Sequence, residues 1–266
     1  MKRLIFSCAA ALALISVSIA PGTAQDSTLV FDPLIDGCAL ALGAGGSLGT
    51  KLALGSSASD FKAPDASELS GFDRSLSFPY SRVLDKASLC VEGTALLYPA
   101  LFALIGEKDE YLGAAASYAE AMLYTYAAKN CLKYLFPKAR PYAYYASGLS
   151  GDLLEEADES FPSGHTALAF AAATSFAVMS LKAAGGEPAT PWLVAGAYAL
   201  AAGEGALRVA CGEHFVSDVA AGAALGAGIG YLAASVHLRP RNKAVEGTKG
   251  LSAGLTGTGL LVRIAM

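Results

Sequence analysis

The sequence predicts an all-α fold, a bundle of about six helices embedded in a membrane, with its functional loops gathered at one end. Three observations carry this. Hydrophobic residues make up 54% of the 266-residue chain, charged residues only 16%, and mean hydropathy is +0.45; that is far from disorder and more apolar than an ordinary soluble domain. Apolar segments recur near residues 34–54, 92–106, 112–132, 165–184, 191–207 and 219–236, separated by stretches with Gly, Pro and charges. The segments are rich in Ala and Gly, and small residues let helices approach closely, as membrane bundles require. Several are short for a bilayer span and some carry an ionisable residue: Asp36, Lys51, Glu120 or Glu204. A soluble Ala-rich bundle is therefore the competing architecture.

Taken in order, residues 1–24 read as an export signal. Lys2 and Arg3 form a positive start, residues 4–20 an apolar run, and Gly22, Thr23 and Ala24 are small residues before a cut at Gln25. The alternative is an uncleaved signal anchor, since the run approaches the length of a span. Residues 25–91 form an N-terminal helix and an outer loop, residues 92–236 the core bundle, and residues 237–266 a tail. The segment 34–54 is the weakest helix, because it holds Gly43, Gly45, Gly46 and Gly49. The alternating tail over 251–266 suggests a short hairpin.

Sidedness follows from parity. The stretches 133–163 and 208–218 are separated by two crossings and must share a side. The basic run that holds His237, Arg239, Arg241 and Lys243 lies one crossing further. The positive-inside tendency puts that run in the cytoplasm and both earlier loops outside. Six crossings after an exported N-terminus would reverse this, so either 34–54 does not cross or nothing does.

Nineteen Lys+Arg against 23 Asp+Glu give a net charge of −4, a balance that does not suggest a nucleic-acid surface, so no nucleic-acid partner is expected and any bound anion is left to a few local cations. Beyond the signal, Cys38, Cys90, Cys131 and Cys211 permit disulfides without specifying any. With no CxxC and no Cys/His cluster, they read as small buried residues in helices, and no metal is expected through them.

Three stretches on the shared side carry chemistry. Lys133 is followed after six residues by Arg140 and Pro141 at a helix exit. Two such cations can converge on one anion, or they are interface anchors. The run of Phe161, Pro162, Ser163, Gly164, His165 and Thr166 leads straight into an apolar segment. Ser163 stands where an N-cap belongs, Gly164 allows close backbone approach, and the first-turn amides with the helix dipole form an anion site. A plain cap with an incidental His is the bland alternative. In the third stretch Arg208 precedes His214 and Asp218, which are four apart. On a helix they share a face, where the carboxylate orients one ring nitrogen and leaves the other as base or nucleophile, unless the pair is an inert salt bridge. Only three histidines occur in the chain, and two of them fall in these loops.

Together these stretches resemble the signatures of the type 2 phosphatidic acid phosphatases, related in fold to bacterial class A acid phosphatases and vanadium haloperoxidases. The likeness covers roughly residues 92–236. It rests on Lys133 with Arg140 and Pro141; on Pro162, Ser163, Gly164 and His165; and on Arg208 with His214 and Asp218. One position departs: Leu207 stands where the family usually carries Ser, which removes a phosphate hydrogen bond.

The resemblance implies a phosphatase that needs no metal and no cofactor. His214, oriented by Asp218, would attack phosphorus, and His165 would protonate the leaving oxygen and then activate water. Lys133, Arg140, Arg208, Ser163 and Gly164 would hold the phosphoryl oxygens. It implies a lipid phosphate or lipid pyrophosphate as substrate, membrane lipids as surroundings, and a bacterial inner-membrane enzyme with its site facing the periplasm. The alternative is a soluble periplasmic acid phosphatase of broad specificity; an inactive phosphate-binding membrane protein is a third. The sequence assigns no oligomeric state. His237, one crossing beyond Asp218, takes a structural or interfacial role, and Tyr142, Tyr144 and Tyr145 read as interface aromatics, with the floor of the substrate entrance as the alternative.

Overall fold

The fold is described from a computed structural model that covers residues 27–55, 64, 65, 67, 69, 71–145, 151–183 and 187–240, together with the backbone of 252–256 and 259–263. The expected signal over 1–24 lies outside the described residues.

All six apolar segments are helices. They are α1 (Ile35–Gly55), α3 (Arg82–Leu97), α5 (Tyr111–Leu135), α7 (Gly164–Lys182), α8 (Thr190–Ala210) and α9 (Val216–His237). Shorter pieces join them: α2 (Gly71–Ser75), a 3-10 turn over Tyr98–Leu101 running into α4 (Phe102–Ile105), a 3-10 turn over Pro141–Tyr144, and α6 (Asp152–Glu155). The second segment begins ten residues earlier than its apolar run, at Arg82 rather than 92. Arg82, Asp85 and Lys86 hide the helix from a hydropathy pattern, but Asp85 and Ser88 in those turns have partners on α8. Pro99, with no N–H to donate, sits in the 3-10 turn and lets the rod continue to Ile105.

α7 is the hub. It packs on α9, α8, α5 and α3, and from Ala167 to Ser180 nearly every residue is buried. Alanines make it thin, while Phe176, Met179 and Phe170 fill the core against Tyr98 and Tyr198; a fully buried Phe contributes roughly 1.5–3 kcal/mol. α9 meets α7 along Gly222, Gly226 and Gly230. A Cβ on these would collide with the carbonyl oxygens of Ser163, Ala167 and Ala171, so the two backbones are in direct contact. α1 lies outermost on α5, where the Ser47 hydroxyl donates to the Leu123 carbonyl at 2.8 Å and the Tyr124 hydroxyl to that of Ala39 at 2.9 Å.

Among the described residues, four stretches are long and apolar enough to cross a membrane: Arg82–Ile105, Gly164–Lys182, Thr190–Ala210 and Val216–His237. α1 is not among them, in keeping with the weak segment expected at 34–54. Sheet is minor. β1 (Ser27–Leu29) pairs antiparallel with β2 (Leu238–Pro240), tying the two ends of the bundle chain together. β3 (Ser252–Thr256) pairs with β4 (Gly259–Arg263) as the hairpin expected in the tail. Cys38, Cys90, Cys131 and Cys211 are free thiols. Cys211 is buried, and burial pushes its thiol up to about 11; the other three are exposed rather than packed inside as the composition suggested.

Candidate active site

The three motifs meet at one end of the bundle because their backbones are stitched together. After α5 the chain runs parallel to the segment before α7: the amides of Lys138 and Arg140 donate to the carbonyls of Asp158 and Ala157, and that of Ser160 to Lys138, at 2.8–2.9 Å. The Ser163 amide donates to the Asp218 carbonyl at 3.1 Å, and the Tyr142 amide to Gly212 at 3.0 Å. Gly212 has φ +81 and a Cβ there would lie 2.5 Å from the Phe78 carbonyl, so only glycine fits this crossing. The parity expected between the loops 133–163 and 208–218 is therefore a physical junction.

His214 lies in the loop ahead of α9, and its side chain is buried. Its Nδ1 is 2.7 Å from the Ser160 carbonyl oxygen. A carbonyl only accepts, so Nδ1 carries the hydrogen and Nε2 keeps the lone pair. Burial, with the Arg140 and Arg208 guanidiniums nearby, holds this imidazole well below the ordinary histidine range, and Lys133 and His165 add to the effect.

Asp218 does not touch His214, contrary to the shared helix face expected from their spacing. His214 precedes the first turn of α9, while Asp218 is the third residue of that helix. The carboxylate instead accepts from the Ser160 hydroxyl at 2.6 Å, the Lys138 ammonium at 2.7 Å and the Phe215 amide at 3.1 Å. Asp218 thus orients His214 at one remove, by fixing Ser160.

The expected phosphate ligands surround this ring. Lys133 is buried and donates to the Glu159 carbonyl at 2.7 Å and its carboxylate at 3.3 Å. Arg140 pairs with Glu156 at 2.7 Å and with Glu213, and Arg208 with Asp85 at 2.7 Å and Glu213 at 3.3 Å. Glu213 is thus shared by both guanidiniums. Both arginines are buried, yet neither Nε–H has an acceptor among the described residues; a buried donor without a partner costs about 1–3 kcal/mol.

Ser163 is the N-cap residue of α7 as expected, but its hydroxyl pairs with that of Thr166 at 2.9 Å and caps no amide. The first-turn amides keep their donors for an anion. At Gly164 a Cβ would lie 2.8 Å from the Lys129 side chain. His165 is one-third exposed, and its Nε2 lies 3.4 Å from a Glu92 carboxylate oxygen. It forms the open side of the site.

Sequence reasoning did not find Ser160, Lys138, Lys129 or the carboxylates of Asp85, Glu92, Glu156, Glu159 and Glu213. Ser160 acts partly through its backbone, and the carboxylates reach their partners across helices far apart in sequence. Lys129 had a signal, one helical turn before Lys133 on the same face. Tyr142 does not floor an entrance: it is buried, its hydroxyl donates to the Leu153 carbonyl at 2.8 Å, and burial pushes it up to about 12. The Leu207 departure leaves Arg208 with a different hydroxyl, that of Ser88 at 3.3 Å. Beside the junction, Leu132, Phe136, Pro137, Lys138 and Phe161 line an open cavity of about 650 Å³.

A family model described as PAP2 superfamily matches residues 114–242. Over 103 residues the chain is 35% identical to the lipid A 1-phosphatase of Porphyromonas gingivalis, a match covering 39% of this chain and 19% of that protein. No solved structure matches the chain. From Lys133 to Asp218 the three motifs lie inside the matched region, and residues 114–242 of this chain are a PAP2 superfamily domain.

Proposed function

We propose that the protein is a membrane phosphatase that removes phosphate from a lipid phosphate or lipid pyrophosphate through a phosphohistidine. The observation that carries this is the buried His214 ring, with Nδ1 tied to Ser160 and Nε2 bearing its lone pair, beside two arginines whose Nε donors lack acceptors among the described residues.

The substrate phosphoryl group is held by Arg140, Arg208 and Lys133, with the Ser163 hydroxyl and the amides at the start of α7. His214 Nε2 attacks phosphorus while the bond to the leaving oxygen breaks. His165, with the Glu92 carboxylate beside its imidazolium, gives that oxygen a proton and becomes neutral. It then takes a proton from water, whose oxygen attacks phosphorus; the P–N bond breaks and orthophosphate leaves. Charge develops on the phosphoryl oxygens where the arginines stand, and each contact that strengthens there contributes roughly 2.7–4 kcal/mol. No step uses a metal.

Lipid specificity is supported by what the bundle leaves outside. Leu89, Leu97, Leu104, Trp192, Leu232 and Val236 are exposed large apolar residues on α3, α4, α8 and α9, and an outward face of that kind suits hydrocarbon. The cavity between Phe136 and Phe161 would take an apolar part of the substrate next to the phosphate ligands. The similarity to a lipid A 1-phosphatase points the same way. By the loop parity given above, the site faces the periplasm, opposite the basic run after His237.

The test is phosphate release from a panel of lipid phosphates, lipid pyrophosphates and soluble phosphomonoesters, with EDTA present, by wild type beside His214→Ala. Turnover of lipid substrates that the variant loses is the expected result. Preference for soluble esters would overturn the lipid assignment, and undiminished turnover by His214→Ala the mechanism.

A further inference from the structure

The opposite end of the bundle holds a second polar cluster that phosphoryl transfer does not use. Asp36 of α1, Glu120 of α5 and His237 of α9 converge there, each more than nine-tenths buried, with one potential ligand atom apiece inside a 4.8 Å span. His237 closes a helix whose third residue is Asp218, so the cluster is about 28 Å along α9 from the junction.

The hydrogen positions narrow what can sit there. His237 Nδ1 is 2.8 Å from the Ala233 carbonyl oxygen, so it carries the hydrogen and Nε2 faces the carboxylates. Nε2 lies 3.5 Å from Asp36 Oδ1 and 3.7 Å from Glu120 Oε1. Neither Nε2 nor Glu120 Oε1 has a hydrogen-bond partner among the described residues. Asp36 spends its other oxygen on the Asp32 amide at 2.7 Å, which turns Oδ1 toward the ring. A neutral imidazole would aim a lone pair at two buried anions. An imidazolium would donate at about 2.7–2.9 Å, well inside the separations found. Two ligand atoms bound to one tetrahedral ion at about 2.0–2.1 Å stand roughly 3.3–3.4 Å apart, close to both distances.

We propose that Asp36 Oδ1, Glu120 Oε1 and His237 Nε2 bind a divalent transition-metal ion such as Zn²⁺. Imidazole with carboxylate oxygens is a donor set for ions of this group, and two positive charges neutralise two carboxylates that burial would otherwise penalise. The ion clasps α1 and the end of α9 to the middle of α5. The β1–β2 pair adjoins the cluster, with the Val30 amide just after β1 donating to the His237 carbonyl at 3.0 Å. The spacing 36, 120 and 237 forms no sequence motif, so only the fold assembles this site. The inference does not depend on the phosphatase assignment.

The experiment is titration of chelator-stripped, full-length protein with Co²⁺, reading metal content and the visible bands of tetrahedral cobalt, with Zn²⁺ as competitor. Wild type and His214→Ala bind about one equivalent with those bands, Zn²⁺ removes them, and Zn²⁺ raises the Tm of both. His237→Ala loses the bands and binds at least about tenfold more weakly; Glu120→Gln does the same if the histidine variant fails to fold. No Co²⁺ retained by wild type, or retention unchanged in whichever variant folds, overturns the proposal.

Discussion

The position of Asp218 makes a sharp prediction for Asp218→Asn. In a relay where a carboxylate directly holds the Nδ1–H of a catalytic histidine, replacing it with an amide stabilises the wrong tautomer and costs about 10⁴-fold. Here the Ser160 carbonyl sets the tautomer, and it survives the substitution. What the amide side chain gives up is the charge and the acceptor oxygen Oδ1 facing Lys138 at 2.7 Å, while the Ser160 hydroxyl at 2.6 Å and the Phe215 amide at 3.1 Å, which already share Oδ2, keep the remaining oxygen. One charge-assisted hydrogen bond is worth about 1.5–3 kcal/mol, or about 10- to 150-fold in kcat/KM at 1.4 kcal/mol per decade. The assay is steady-state phosphate release on the preferred substrate, with Tm measured in parallel to separate loosening from unfolding. A loss near 10⁴-fold in a folded variant, matching His214→Ala, would refute an indirect role and require a direct His214–Asp218 contact during turnover.

The remaining predictions concern pH, affinity, packing and specificity. The His214 imidazole stays neutral, its nucleophilic form, as pH falls through 6.5, because burial and Arg140 disfavour its cation; the acid limb of kcat/KM should fall well under 6.5, and a limb at or above 6.5 would count against that environment. Glu213→Gln frees Arg140 and Arg208 of a shared carboxylate, so orthophosphate and vanadate should inhibit about tenfold more tightly; weaker inhibition would show that Glu213 holds the arginines in place. Gly226→Ala puts a methyl against the Ala167 carbonyl and should cost at least about 2–3 kcal/mol, read as a lowered Tm, with an unchanged Tm contradicting the seam. Phe136→Ala trims the cavity wall and should reduce kcat/KM on a lipid phosphate several-fold more than on a soluble phosphomonoester; equal losses would sever the cavity from the lipid.

The long helices were legible because burial in this bundle needs only sustained apolar runs, which sequence displays directly. Arg82 at the start of α3 was not, since its turns are polar for a reason located 123 residues away, where Asp85 meets Arg208. The site divides in the same way. Lys133, Arg140, Ser163, His165, Arg208 and His214 announce themselves by residue type and local spacing, and the fold does gather them. Glu213 and Glu159 look like surface charges in a string of letters, and only the loop pairing turns them toward the cations. Ser160 is the hardest case, because a backbone carbonyl belongs to every residue and carries no sequence signature. For Asp218 the spacing misled: four residues imply one helix face only when both belong to the helix, and α9 begins at Val216.

The seam of Gly222, Gly226 and Gly230 bears on how the chemistry tolerates error. In an ordinary core a misfit is absorbed when side chains swing to new rotamers, so a disturbance fades within a shell or two. At these three contacts between α7 and α9 the main chains touch directly, and main chain resting on main chain has nothing to swing. A displacement at Ala171 or Ala167 is handed on undiminished to Ser163, whose carbonyl rests on Gly222. The accuracy with which the anion site faces His214 is thus set deep in the bundle by three missing side chains, and random change there should abolish turnover before it abolishes folding.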